Sequence, residues 1–224
     1  MNLTNKKLQE LTIDELAAVH LSVHGPIHLA DGLLHSGIST LVREIRHTRS
    51  ADNSRIYSPV LGAFALLDQI GTCYSDKTVA AYADANASGI KKALYYFAGM
   101  GQNTADVKAV YGLRNALMHD GSLLYRGRFD AKANAWTGPF HHFMFGRTHA
   151  NLVEHPNQPW DGHLTTLNSS NYTKVNQDKL TDLAIDVLGK ARGQLDAGNL
   201  NINIQGGPIE LYYKYLFHRA SSGT

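Results

Sequence analysis

Apolar residues recur at intervals of three and four along most of this chain, which is the spacing of one face of an α-helix. Residues 29–45 keep this spacing, and the apolar run over 60–70 predicts a more deeply buried helix. Thr12 and Glu15 have the spacing of a capping box, and Pro26 favours the start of a second helix. The pattern predicts helices over residues 12–24, 26–49, 58–74, 76–100, 103–120, 175–197 and 208–217.

The segment from about residue 122 to 170 has a different pattern. Residues 123–125 and 140–145 are aromatic, strand-like runs, and turn-forming residues separate them. Residues 199–204 alternate between polar and apolar, as an edge strand does. We therefore predict a mainly α fold, with a single domain over 1–224 that carries a small β-hairpin insertion at about 122–170.

Composition narrows the function classes. Of the 224 residues, 43% are hydrophobic, which is enough for a sizeable core, and the formal net charge is only +2. This charge argues against a protein that coats nucleic acid along a broadly basic surface, although a local basic cleft is compatible with it. Cys73 is the only cysteine, so no internal disulfide can form, and a buried thiol is favoured over a nucleophile.

The N-terminal residues lack the apolar core of a signal peptide. No apolar run approaches the roughly 18 residues that a membrane-spanning helix needs. We expect a cytoplasmic protein with no membrane partner.

The stretch over residues 111–121 carries the strongest chemical signal. Arg114 and Asn115 are followed by His119 near the end of a predicted helix, which Asn103 would cap and Gly121 would terminate. Arginine can bind a phosphate through two parallel hydrogen bonds, and histidine can move protons near neutral pH. The helix dipole would favour a protonated His119 that acts as a general acid. The alternative interpretation is a C-terminal histidine beside an arginine that binds a surface carboxylate.

Asp68 is the only charged residue inside the apolar stretch 60–70. A buried carboxylate needs a partner, and Arg114 is the candidate that would give Asp68 a supporting role at the site. Asp68 could instead cap a neighbouring backbone segment or face solvent. Tyr111, one turn before Arg114, could stack on a base, but packing in the core is the favoured interpretation.

The histidines raise a second hypothesis. His20, His24 and His28 recur every four residues, a spacing that can bind zinc on one helix. Pro26 interrupts that helix, and neither a metalloprotease glutamate nor a cysteine pair accompanies it. On a strand, His141 and His142 would point to opposite faces and could not share one ion. We therefore predict no metal site and no cofactor.

Arg114-Asn115 followed by His119 resembles the motif of HEPN domains, and residues 59–71 are similar to the core helix that packs against it there. The resemblance covers roughly residues 55–198. It implies an up-and-down helical bundle that forms a homodimer and joins two motifs in one cleft. Some toxin members carry a tyrosine two residues after the histidine, where this chain has Gly121.

Many HEPN members are metal-independent endoribonucleases of toxin or phage-defence systems, and others only bind nucleotides. The resemblance therefore implies RNA or a nucleotide as a ligand, with an antitoxin protein as a further partner of toxin members. In the expected reaction His119 transfers a proton, Arg114 stabilises charge on the phosphoryl oxygens, and Asn115 orients His119 or donates to phosphate. The alternative is a non-catalytic dimer that binds a nucleotide or a protein through the same groove.

Overall fold

The computed structural model describes residues 2–221. The helices are α1 (Ile13–His20), α2 (Gly37–Ser50), α3 (Tyr57–Cys73), α4 (Gly89–Ala98), α5 (Ala105–Asp120), α6 (Gln177–Asp196) and α7 (Gly207–Tyr215). The strands are β1 (Ile27–Leu29), β2 (Gly32–Ser36), β3 (Tyr74–Asp76), β4 (Leu124–Tyr125), β5 (Phe129–Asp130), β6 (Ala135–Trp136), β7 (His141–Gly146), β8 (Val153–Glu154), β9 (Tyr172–Asn176), β10 (Leu200–Ile202) and β11 (Leu216–Ala220).

The fold is mixed α/β, so the prediction of a mainly α, up-and-down helical bundle is wrong. The chain is 47% helical and 18% strand, and the described residues contain four sheets. Most strands are two to six residues long. Such short runs give little periodicity, and several have partners far away in the sequence. The helix-like spacing of apolar residues therefore concealed them.

The N-terminal region shows this best. The helix predicted over 26–49 begins only at Gly37, because the residues before it form the antiparallel hairpin β1–β2. Burial alternates along β2, with Leu34 fully buried. Strand β11 completes this three-stranded sheet, with Leu216 opposite Ser36. Consequently the last predicted helix ends at Tyr215 instead of at residue 217, and the chain continues as a strand.

The predicted β insertion is larger than a hairpin. Its hairpin is present, with β4 antiparallel to β7, but β9 adds to β7 in parallel and β8 closes the sheet in the order β4-β7-β9-β8. The sheet therefore reaches Asn176, beyond the predicted limit at residue 170. His141 is buried and His142 is partly exposed on the other face, as the alternation predicted.

Helices α3, α4 and α6 form the centre of the core, and the predicted helices over 58–74 and 175–197 match α3 and α6 closely. The helix predicted over 76–100 is reduced to α4. Strand β3 precedes it and pairs with β10, which confirms the strand predicted near residue 200. One hydrophobic cluster contains residues from Leu3 to Leu216, so the helices and the sheets share a core.

Two glycines let α3 and α4 approach closely. A Cβ atom on Gly71 would lie 1.9 Å from the backbone oxygen of Gly89, and one on Gly89 would lie 2.3 Å from the backbone oxygen of Asp68. Any side chain at either position would collide with backbone. This contact brings the first turn of α4 against the middle of α3, where Asp68 lies.

Candidate active site at the end of helix α5

Helix α5 presents the Arg-Asn-His motif. Thr104 caps its N-terminus by accepting a hydrogen bond from the Val107 amide, so the cap lies one residue after the predicted Asn103, which has a left-handed backbone. Gly121 terminates the helix in the left-handed conformation, as predicted, and the amide of Ser122 donates to the carbonyl of Ala116. The sharp stop leaves His119 exposed in the last turn.

The guanidinium of Arg114 is the centre of the site. Its Nε donates to Oδ2 of Asp68 at 3.0 Å, and its Nη1 lies 3.1 Å from Oδ1 of Asn115 and 2.9 Å from Nε2 of His119. Within residues 2–221, neither hydrogen of Nη2 has a protein acceptor. The structure therefore brings the four predicted site residues together around one side chain, which is about three-quarters buried.

Asp68 serves two helices at once. While Oδ2 accepts from Arg114, Oδ1 accepts from the backbone amide of Ile90 at 2.9 Å, in the first turn of α4. The positive end of the α4 dipole favours a carboxylate there. The two alternatives considered for Asp68, an arginine partner and a cap on neighbouring backbone, are therefore both present. Arg114 is held by a carboxylate that α3 and α4 hold jointly.

The contact with Arg114 sets the hydrogen-bond role of His119 Nε2. A guanidinium can only donate hydrogen bonds, so Nε2 of His119 must accept, and a neutral ring carries its proton on Nδ1. That a protonated His119 acts as a general acid stays a prediction. The oxygen of Asn115 accepts from Arg114, and among the described residues Asn115 has no hydrogen bond to His119, so donation to a phosphate is the predicted role that stays open.

Lys91 is a nearby cation that the sequence did not indicate. Its ammonium group lies 4.2 Å from the ring centre of Tyr111, beside the Ile90 amide that Asp68 caps. Tyr111 is half-buried and packs against the hydrophobic core, as the favoured interpretation predicted. No periodicity or motif singles out Lys91. Only the packing of α4 on α5 brings it next to the motif helix.

The three histidines that recur every four residues have different surroundings in the fold. His20 is fully buried beside the Tyr74 hydroxyl, whereas His24 and His28 are exposed. Burial lowers the pKa of His20 to about 4. In the part of the chain that the structure describes, no group of three or more histidine, cysteine, aspartate or glutamate residues could hold a metal ion.

The single cysteine is structural. Cys73 is fully buried at the end of α3, and burial raises the pKa of its thiol to about 12. A thiol with such a pKa supplies almost no thiolate near neutrality. The predicted buried thiol is confirmed.

Comparisons of the chain with protein-family models, curated proteins and solved structures find no match. Among residues 2–221, none of the helices combines the length and the apolar character required to cross a membrane.

Proposed function

We propose that the end of α5 is the active site of a metal-independent endoribonuclease that cleaves RNA by transesterification. The observation that carries this proposal is the arrangement of Arg114, which is fixed by Asp68, joined to His119 and open to a ligand at Nη2. An anchored guanidinium beside an exposed imidazole supplies phosphate binding and proton transfer at one point. The HEPN resemblance supports the same reaction through the motif.

A phosphodiester would bind first to the free Nη2 hydrogens and then compete with His119 for Nη1. Bidentate binding of a phosphate through Nη1 and Nη2 therefore breaks the contact between Nη1 and Nε2 of His119. The lone pair of Nε2 then becomes available as a base. The resting contact between Arg114 and His119 thus couples substrate binding to the exposure of the base. Asp68 keeps the guanidinium in place throughout.

In the proposed step, Nε2 of His119 removes the proton of the ribose 2′-hydroxyl. The 2′-oxygen forms a bond to the adjacent phosphorus, and the bond from phosphorus to the 5′-oxygen of the next nucleotide breaks. The leaving oxygen takes up a proton, and the products are a 2′,3′-cyclic phosphate and a 5′-hydroxyl. Arg114 stabilises the charge that builds on the phosphoryl oxygens.

A homodimer would provide the second proton-transfer group. Each chain contributes one motif histidine, whereas the reaction needs a base for the 2′-hydroxyl and an acid for the leaving oxygen. A two-fold axis beside α5 repeats every contact, so a second His119 would face the first. Met118, next to His119, is 46% exposed and offers an apolar contact at such an axis.

A second candidate is a non-catalytic dimer that binds a nucleotide or a partner protein. The observation in its favour is that Nε2 of His119 is already occupied by Arg114, an arrangement that also suits simple phosphate binding. A role in a toxin or phage-defence system, with an antitoxin as partner, belongs to the first candidate. Cytoplasmic localisation is expected for both.

End-labelled RNA incubated with the pure protein in excess chelator separates the two candidates. We expect cleavage that leaves 2′,3′-cyclic phosphate ends, and no cleavage where a single 2′-deoxynucleotide replaces the nucleotide at the cut. Nucleotide binding without cleavage would favour the second candidate. Cleavage that requires added metal would refute the proposed chemistry.

Complementation tests the dimer. Inactive Arg114→Ala and His119→Ala chains are mixed; the mixed dimer holds a single His119, so a site that needs both histidines predicts no recovery. Recovered activity would show instead that one histidine suffices and that one site takes Arg114 and His119 from different chains. Light scattering at micromolar concentration should give twice the chain mass. A strict monomer that still cleaves RNA would refute the composite site.

A further inference from the structure

A short β-ribbon projects from the sheet directly after the motif helix. We name residues 126–139 the finger, and its two strands are β5 and β6. At its base a β-bridge joins the backbones of Gly127 and Gly138. Next to this bridge the Thr137 amide donates to the Arg128 carbonyl at 2.9 Å. At the tip, Oδ1 of Asp130 accepts from the backbone amides of residues 132 and 133. Every residue from 131 to 137 is exposed, so this part of the finger does not pack against the core.

Two aromatic side chains of the finger are exposed to solvent. Phe129 and Trp136 are directly opposite one another in the ribbon, and their ring centres are 5.4 Å apart. They remain 44% and 40% exposed, respectively. A two-stranded ribbon by itself is marginally stable in water. These two rings bury little of their surface, so they contribute little to its stability. Their position suits a platform on which planar groups stack.

Basic side chains accompany the aromatic pair. The finger contains Arg126, Arg128 and Lys132 against a single carboxylate, Asp130, which closes the tip turn. Among the residues described, none of the three cations forms an ion pair with a carboxylate. Arg126 instead lies over the Trp136 ring, 4.5 Å from its centre. The local excess of positive charge equals the net charge of the entire chain.

A groove beside the ribbon brings one of the rings and two of the cations together. It has a volume of about 460 Å³ and is lined by residues 128–132 together with Thr137. Arg128 and Lys132 therefore border an open space next to Phe129, and Trp136 lies opposite Phe129 in the ribbon. Exposed aromatic rings beside unpaired cations are the elements that bind single-stranded nucleic acid, in which bases stack on rings and phosphates contact cations.

We propose that the finger binds single-stranded RNA and guides it to the site at the end of α5. This inference rests on the proposed ribonuclease function for the identity of the ligand. Bases would stack on Trp136 and Phe129, and phosphates would contact Arg128 and Lys132. A protein partner would also use aromatic residues and arginine, but lysine is depleted at protein interfaces, and unpaired cations favour a polyanion.

The fold places the finger near the motif helix. Tyr125, immediately before the finger, packs against Gly112, where an added Cβ would lie 2.7 Å from the Tyr125 ring. Gly112 precedes His119 by seven residues, which corresponds to about 10 Å along the axis of α5. The strand β4 holds Tyr125 to β7, so the base of the finger keeps a fixed position relative to the helix.

The fluorescence of tryptophan offers a direct test, because the chain has only two tryptophans and Trp160 is 3% exposed. The probe is a single-stranded 2′-O-methyl RNA of twelve mixed nucleotides, which 2′-hydroxyl attack cannot cleave. Added to the full chain, it should quench the emission of Trp136. Trp136→Phe should retain binding, measured by anisotropy of a labelled probe, and lose the quenching. Wild-type binding without quenching would overturn the stacking contact.

Alanine and glutamine variants measure the energetic contribution. Trp136→Ala should weaken binding of the probe by roughly 5- to 150-fold, as loss of one stacking platform does. Tyr213→Ala, which removes the exposed ring of α7, is the matched control and should bind normally. In Arg128→Gln/Lys132→Gln, the slope of log Kd against log salt should fall by about 1.4, whereas Lys190→Gln on α6 should leave it unchanged.

The outcomes separate this inference from the proposed function. If natural RNA is cleaved but Trp136→Ala binds the probe like wild type, the finger inference is wrong and the ribonuclease stands. If the probe binds through Trp136 but natural RNA is never cleaved, the ribonuclease is wrong and the binding surface stands. If Trp136→Ala changes the mass measured by light scattering and leaves RNA binding intact, the finger is a protein interface and the inference fails.

Discussion

Two of the polar clusters built around a histidine are opposite in character. At the end of α5, His119 is exposed, and its Nε2 accepts from the anchored guanidinium of Arg114. In the core, His20 is fully buried, with Nδ1 2.7 Å from the Tyr74 hydroxyl and its ring stacked 5.0 Å from that of Tyr215. Both rings have hydrogen-bond partners, but one set lies at the surface and the other in the interior.

The difference shows what makes a histidine available for chemistry. Burial disfavours the charged form of His20, and a ligand at the protein surface does not change this. The hydrogen-bond partners of His20 also lie inside the protein. His119 Nε2 instead makes one contact, with Arg114, that a phosphate could displace. We infer that the first histidine contributes to stability and the second to function. The predictions below test this division, beginning with the largest expected effect.

Removal of the His119 ring should nearly abolish cleavage of RNA and leave the fold intact. We expect His119→Ala to lower kcat by about 10²–10⁴-fold, because a positioned proton-transfer group is lost. The exposed position makes the change in unfolding free energy small. His24→Ala, at another exposed histidine, is the matched control for rates and for circular dichroism. Wild-type rates in His119→Ala on every RNA that the protein cuts would refute the role.

Arg114→Lys should restore little of the activity lost in Arg114→Ala. Lysine keeps the charge, but it lacks the planar group that contacts Asp68, Asn115 and His119 simultaneously. The expected loss in kcat/KM is roughly 10²–10³-fold. Arg43→Lys on α2 controls for the substitution itself. Full activity in Arg114→Lys would mean that a diffuse positive charge suffices.

The buried histidine should produce a pH dependence of stability. The pKa of His20 is lowered from its ordinary 6.5 to about 4, so the unfolded chain takes up the proton first as the pH falls. Stability should therefore decrease between about pH 6.5 and pH 4, and His20 should account for about 3 kcal/mol of that decrease.

Urea denaturation at a series of pH values checks this. His20→Gln, whose amide can still bond to the Tyr74 hydroxyl, should reduce the slope in that window. The remaining slope belongs to His141, because burial lowers the pKa of that ring to about 4 as well, and His24→Gln should follow wild type. Equal slopes in His20→Gln and wild type would contradict the assignment.

The close contact between Gly71 and Gly89 connects the exposed site to the buried helices α3 and α4. Gly71→Ala would place a Cβ 1.9 Å from the Gly89 carbonyl oxygen and force α3 away from α4. We expect a loss of about 1–3 kcal/mol in the free energy of unfolding. Activity should fall as well, because Asp68 would no longer hold the Ile90 amide and Arg114 together.

Gly189→Ala on α6 is the control for that variant. Nothing lies within 4 Å of its added Cβ, so it should stabilise the protein by roughly 0.5–1 kcal/mol without affecting activity. If Gly71→Ala behaves in the same way, the close approach of the helices does not position the site.

The sequence determined the local features of the site. The helical pattern around residues 107–117, the glycine stop at Gly121 and the isolated charge of Asp68 are all local signals, and each corresponds to an observed feature. The buried helices α3 and α6 were equally predictable, because long apolar segments have strong periodicity. Such signals depend on residues within a few turns of each other.

Only the tertiary structure decided the features that depend on residues far apart in the sequence, namely strand pairing and side-chain contacts. The sheet around β2 is completed by β11, which pairs with it from almost the other end of the chain, and the sheet around β7 is extended by β9. The hydrogen bond between His119 and Arg114 and the position of Lys91 beside Tyr111 depend on side chains that meet only in the folded protein. Hydrogen-bond partners and burial are properties of the packed chain, and they determine which of its histidines can react.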